Sequence, residues 1–120
     1  MKRWIWINTS FQATHQWAEC PHNDVAFLRD CHHHMFFVKV STTVEHNDRD
    51  IEFLRFKKLV DDSIDTLYGT DRIKELGRKS CEDIAEELYN KLIQTDNNLA
   101  YRKFDIEVSE DNLVGARLNF

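Results

Sequence analysis

Two long segments of this chain alternate apolar and polar side chains with a period of two, and that constrains the fold more than any other feature. From Arg3 to His15, one face collects Ile5, Ile7, Thr9, Phe11, Ala13 and His15, and the other collects Trp4, Trp6, Asn8, Ser10 and Gln12. From His32 to Val44, His32, His34, Phe36, Val38, Val40, Thr42 and Val44 share a face, with His33, Met35, Phe37, Lys39 and Ser41 behind them. Both segments therefore read as strands, each carrying histidine at one end. Between them, Gln16 to Asp30 has no clear period and contains Cys20-Pro21-His22-Asn23-Asp24, which predicts a loop.

After the polar connection Glu45 to Asp50 the period turns helical. Leu54, Phe56, Leu59, Val60, Ser63, Ile64 and Leu67 form an apolar stripe opposite Lys57, Lys58, Asp61 and Asp62, and Gly69 supplies the stop. Ser80 followed by Asp83 reads as a capping box, and the stripe behind it, Cys81, Ile84, Ala85, Leu88 and Leu92, predicts a second helix ending near Gln94. Alternation returns with Phe104, Ile106, Val108 and Glu110, and a last strand is expected from Val114 to Phe120. The expected class is α+β, one domain over residues 1–120. Its order is β-β-α-α-β-β: a four-stranded antiparallel sheet with both helices on one face. Such a sheet leaves a face and two edges uncovered, and joining sheets from several copies into a barrel closes them.

Composition narrows the partners. With 16 Lys and Arg against 21 Asp and Glu, the net charge of -5 disfavours a phosphate-tracking surface, so no nucleic-acid partner is expected. No apolar run is long enough to span a bilayer, and the residues after Met1-Lys2-Arg3 lack the apolar region of a signal peptide. Three Cys leave one sulfur unpaired in any disulfide scheme, which points to a reducing, cytoplasmic setting with metal or thiol chemistry.

The histidines give that chemistry a form. His32 and His34, two apart on a strand, project to the same side, and His15 ends another strand whose inner face lies beside them. Three neutral imidazoles around an open fourth position make the arrangement by which Zn²⁺ keeps room for water or substrate.

The whole arrangement resembles the family of 6-pyruvoyl-tetrahydropterin synthase and 6-carboxytetrahydropterin synthase. The family's F-x-A-A-H strand end is similar to Phe11-Gln12-Ala13-Thr14-His15, and its H-G-H with an aromatic strand to His32-His33-His34-Met35-Phe36-Phe37. Its D-F-x-x-L-K helix entry resembles Glu52-Phe53-Leu54-Arg55-Phe56-Lys57, with Glu for Asp, and its L-D-H resembles Ile64-Asp65-Thr66. P-T-S-E is similar to Lys79-Ser80-Cys81-Glu82, and the strand ending in E-T to Ile106 through Glu110-Asp111. The motifs keep their order across nearly the whole chain. The resemblance implies the tunnel fold, with trimers closing a barrel and often stacking as hexamers. It implies zinc on His15, His32 and His34, and a pterin or purine-like ring held by Glu110, whose carboxylate can accept two parallel N–H bonds from an amino-pyrimidine edge. The implied reaction is zinc-assisted lyase chemistry on a dihydropterin such as dihydroneopterin triphosphate.

Two positions depart from the pattern. The family's proton-transfer cysteine, four residues before the first ligand of the pair, corresponds to Leu28, and the relay histidine after Asp65 corresponds to Thr66. Substitute acid/base groups are expected among Cys20, Asp24, Asp30 and His33, with Asp65 retained and His22 and His46 also available; Cys31 points away from the metal side. A module that keeps zinc and Glu110 but binds its heterocycle without turnover is the alternative. Arg29, Arg102 and Lys103 are the candidate phosphate contacts.

Overall fold

In the computed structural model, which describes residues 1–120, the alternation of the two long segments is realised along their full length. β1 (Arg3–His15) and β2 (His32–Val44) pair antiparallel without a slip from Arg3 opposite Val44 to His15 opposite His32. Register is fixed because a one-residue shift would turn Ile7, Phe11, Ala13, Phe36, Val38 and Val40, all buried, out to solvent. Helix α1 (Phe53–Tyr68) follows, and the Glu52 carboxylate caps it by accepting from Leu54 N at 3.2 Å and Arg55 N at 2.8 Å. Those two backbone bonds, Arg55 first, hold the Glu52 carboxyl below the ordinary range. Helix α2 (Cys81–Thr95) starts on the expected capping box: Ser80 Oγ accepts from Asp83 N at 3.1 Å, and Asp83 accepts from Ser80 N at 3.0 Å. Strands β4 (Phe104–Glu110) and β5 (Val114–Asn119) close the chain, and Phe120 keeps two backbone bonds to Phe104 beyond the end of β5.

The core is one cluster of 19 buried residues drawn from the inner face of the sheet and from both helices, with Leu76 and Leu99 added from the connections. Phe56, Val60 and Ile64 of α1 and Ile84, Leu88 and Leu92 of α2 supply the helical side. Leu54, counted in the α1 stripe from its spacing, is exposed in the first turn.

The sheet differs from the expected four antiparallel strands. A fifth strand, β3 (Ile73–Glu75), pairs parallel with Gln12–Thr14, giving the order β3-β1-β2-β4-β5 and a mixed sheet. Three residues are too few to display a period, so this strand is invisible to pattern reading. The loop after β1 also contains a short 3-10 helix, Asn23–Arg29, braced by Arg29 Nε donating to Cys20 O at 2.8 Å. Because β3 covers only Gln12–Thr14, the rest of that edge of β1 is unpaired, as is the outer edge of β5. No helix is long and apolar enough to cross a membrane.

Candidate metal centre

Register alone gathers the three histidines. His15 ends β1 directly opposite His32, His34 lies opposite Ala13, and all three face the helix side of the sheet. Their ring centroids stand 4.5, 4.9 and 5.3 Å apart in edge-on pairs, with Phe36 behind His15 at 5.2 Å. One nitrogen from each lies within 4.8 Å of the others, close enough for a shared ion after small ring rotations.

The hydrogen bonds say which nitrogen. His15 Nδ1 is 3.0 Å from Lys79 O, His32 Nδ1 is 2.7 Å from Asp30 O, and His34 Nδ1 is 2.7 Å from Asp111 Oδ2. A carbonyl or an ionised carboxylate only accepts, so each Nδ1 carries the proton and each Nε2 of the neutral ring is a lone pair. All three Nε2 atoms are buried and have no hydrogen-bond partner. Buried polar atoms without partners are rare, and three converging on one point fit a divalent cation of zinc's ligand preference.

Glu110 ends β4 on the same face. Its Oε1 is 3.2 Å from His15 Nε2 and its Oε2 is 3.4 Å from His34 Nε2, close enough to attract but out of line for hydrogen bonds. With a proton on His15, this contact raises the imidazole above its ordinary value and draws the Glu110 carboxyl below its own. A cation held by the three Nε2 atoms would stand in for that proton beside the same carboxylate.

A cleft of about 580 Å³ opens beside the cluster, lined among others by His15, His32, Glu110, Trp17, Leu28 and Cys81. Two larger hollows, about 710 Å³ on the open face of the sheet and 680 Å³ along α1 and the free edge of β1, contain no group of unpartnered ligating atoms. The smaller cleft is the one with chemistry in it.

The other candidate residues are dispersed. Cys20 is buried, with Sγ 3.8 Å from His22 O, and does not line the cleft; Cys31 is exposed. Asp24 and Asp30 are exposed, and Asp30 meets the cluster through its carbonyl. His33 is on the opposite face, with Nε2 3.1 Å from Gln12 Oε1. Asp65 is paired with the buried Lys74 of β3 at 2.8 Å, and the Thr66 hydroxyl donates to Asp62 O. Leu28, at the position where the resemblance places a thiol, does face the cleft. The thiol that lines it is Cys81, and burial pushes its pKa up to about 12, which leaves it protonated and inert at neutral pH. Of the candidate phosphate contacts, Arg29 is engaged in its loop and Arg102 with Asp50 at 2.9 Å, and Lys103 does not line the cleft. The cations at the cleft are Arg78, paired with Glu19, and Lys79, paired with Glu87. Pattern reading overlooked the two carbonyls, the Lys74 partner and Asp111. Of these, only Asp111-Asn112 left a signal, a pair of turn-formers between two strands.

No family model and no curated protein sequence matches the chain. Solved structures do. The 6-pyruvoyl tetrahydropterin synthase of Plasmodium falciparum superposes with a TM-score of 0.71 at 17% identity over 99% of this chain and 98% of that one. The Plasmodium vivax synthase gives 0.72 at 13% identity, covering 100% and 98%. The Caenorhabditis elegans synthase gives 0.65 at 18%, covering 100% and 95%. The chain thus has the fold of these synthases from end to end.

Proposed function

We propose that the chain is a divergent relative of the 6-pyruvoyl tetrahydropterin synthases, a zinc-dependent lyase acting on a dihydropterin. The observation that carries this reading is the set of three buried Nε2 atoms, each freed for a metal by an anchored Nδ1. His15, His32 and His34 are the proposed ligands. Bound there, zinc supplies Lewis-acid polarisation of substrate oxygens. Glu110 is the proposed anchor of the pterin: turned from the imidazoles into the cleft, its carboxylate accepts two N–H groups of the amino-pyrimidine edge. The proposed proton-transfer group is drawn from Cys20, Asp24, Asp30 and His33, with Asp65 as a further candidate, although none of these lines the cleft within one chain. The unpaired edges of β1 and β5 support assembly into homotrimers or stacked hexamers, since pairing one copy's edge with the next closes a barrel. The three free thiols suit a reducing, cytoplasmic setting.

One observation favours a second reading, a zinc-containing module that binds a pterin or purine-like heterocycle without turnover. Leu28 and Thr66 carry no acid/base group, and the thiol at the cleft, Cys81, is held protonated.

Untagged protein incubated with dihydroneopterin triphosphate, with mass spectrometry of the mixture and metal analysis of the protein, tests both. About one zinc per chain and loss of the side-chain carbons or of triphosphate support the lyase. Zinc with bound but unchanged pterin favours the module, and protein that takes up neither overturns both.

A further inference from the structure

The hairpin that follows Glu110 does more than connect β4 to β5. Leu113 N donates to Glu110 O at 3.0 Å, and the two residues between, Asp111 and Asn112, have positive φ of 54° and 58°. Positive φ at both central positions marks a type I′ turn, and Asp and Asn tolerate it better than other residues with a Cβ.

Because β2 and β4 pair with Phe36 opposite Glu110, the next rung of the ladder joins Met35 to Asp111. Half of that rung is ordinary backbone, Asp111 N donating to Met35 O at 2.7 Å. The reciprocal bond is not: Met35 N donates to the side-chain oxygen Asp111 Oδ1 at 2.9 Å, while Oδ2 accepts from His34 Nδ1 at 2.7 Å. A carboxylate is the side chain at this position that can accept from both at once. Threonine, the residue in the E-T motif that Glu110-Asp111 resembles, has a single oxygen.

We infer that Asp111 is a positioning residue of the metal centre, one carboxylate oxygen completing the β2–β4 ladder while the other fixes the proton of His34 on Nδ1. The ladder bond immobilises the carboxylate at the chain neighbour of His34, so ring orientation and tautomer are set by the same group, and the His34 Nε2 lone pair is directed at the site before any metal arrives. This inference rests on the zinc reading of the three histidines, but it predicts a property of the metal-free protein as well.

Asp111→Asn is the decisive variant, because Asn keeps the turn and the size of the side chain. With Oδ1 on Met35 N, its Nδ2 faces His34 Nδ1 as a donor, which forces the imidazole proton onto Nε2, toward the metal position. Asp111→Gly keeps the turn and removes both contacts. The first readout is ¹⁵N NMR of the His34 ring in metal-free protein above the pH at which imidazoles charge. Wild type is expected to show the proton on Nδ1, Asp111→Asn the proton on Nε2, and Asp111→Gly a mixture. The second is zinc affinity measured by competition with a chelator: both variants are expected to bind about tenfold more weakly, the low end of the range for loss of such a partner, because Asp111 is half exposed. Wild type with its His34 proton already on Nε2, or unchanged tautomer and zinc affinity in Asp111→Asn with melting temperature preserved, overturns the inference. Wild type that binds no zinc overturns the metal reading of the centre, while the ring spectra still decide the tautomer.

Discussion

Two polar clusters flank the C-terminal end of β1, and they are built to opposite ends. In one, Lys74 lies almost wholly buried on β3 beside Ala13, and its ammonium donates to Asp65 at 2.8 Å and to Gly69 O. Two of its three donors are engaged, the half-exposed Asp65 leans on water, and no buried atom of the cluster is left without a partner. In the other, three imidazoles have engaged one nitrogen each and left the second buried and bare. The first cluster ties α1 to β3; the second is the proposed metal centre. Proximity of ionisable groups is common to both, and the difference lies in which hydrogen-bonding atoms remain free.

The comparison breaks most visibly at His32. His32→Ala is expected to lower bound zinc from about one per chain to none, as read by metal analysis, with His46→Ala as a control that retains it. Zinc retained in the alanine variant would make the two clusters alike.

Proton competition is the next largest effect. With zinc on the proposed ligands, protons would contend for the same Nε2 atoms, so affinity is expected to fall by about tenfold per pH unit for each imidazole that charges, in chelator competition across acid pH. The metal-free chain behaves the other way. His15, raised above its ordinary 6.5, contributes stability that is complete below pH 6.5 and is lost as pH climbs through the raised value. Glu110, lowered below 4.5, contributes stability that is complete above pH 4.5 and is lost as pH falls through the lowered value. The pair thus stabilises the metal-free protein most between pH 4.5 and 6.5, and the rise in melting temperature on adding zinc should grow with pH above that window. Glu110→Gln should flatten the metal-free maximum; a maximum that survives would show that the pair does not cause it.

The smallest effect sharpens the contrast from the other side. Lys74→Met is expected to cost about 1–2 kcal/mol in denaturant unfolding, since Gly69 O loses a donor while Asp65 can hydrate. Zinc content should stay at the wild-type value. Metal loss in this variant would couple clusters that the hydrogen bonds keep separate.

Much of this was legible in the chain itself. The bounds of β1 and β2, the capping box of α2 and the common face of His15, His32 and His34 follow from periods and spacings, because alternation decides which side chains share a face and Ser80 with Asp83 decides where a helix starts. β3 was hidden by its length, and with it the Lys74 partner of Asp65, a residue whose relay role is implied by the resemblance alone. Asp30 and Lys79 act through carbonyls, which every residue has and no pattern marks.

Sequence by itself therefore determined which imidazoles stand together, since strand pairing converts a spacing of two into a shared direction. Only the tertiary structure decided that each keeps its proton on Nδ1 and meets no hydrogen-bonding protein group at Nε2. That depends on a carbonyl from the β3–α2 turn, another from the loop before β2 and a carboxylate from the β4–β5 hairpin, three acceptors far apart in the chain that meet only when the sheet and helices are packed.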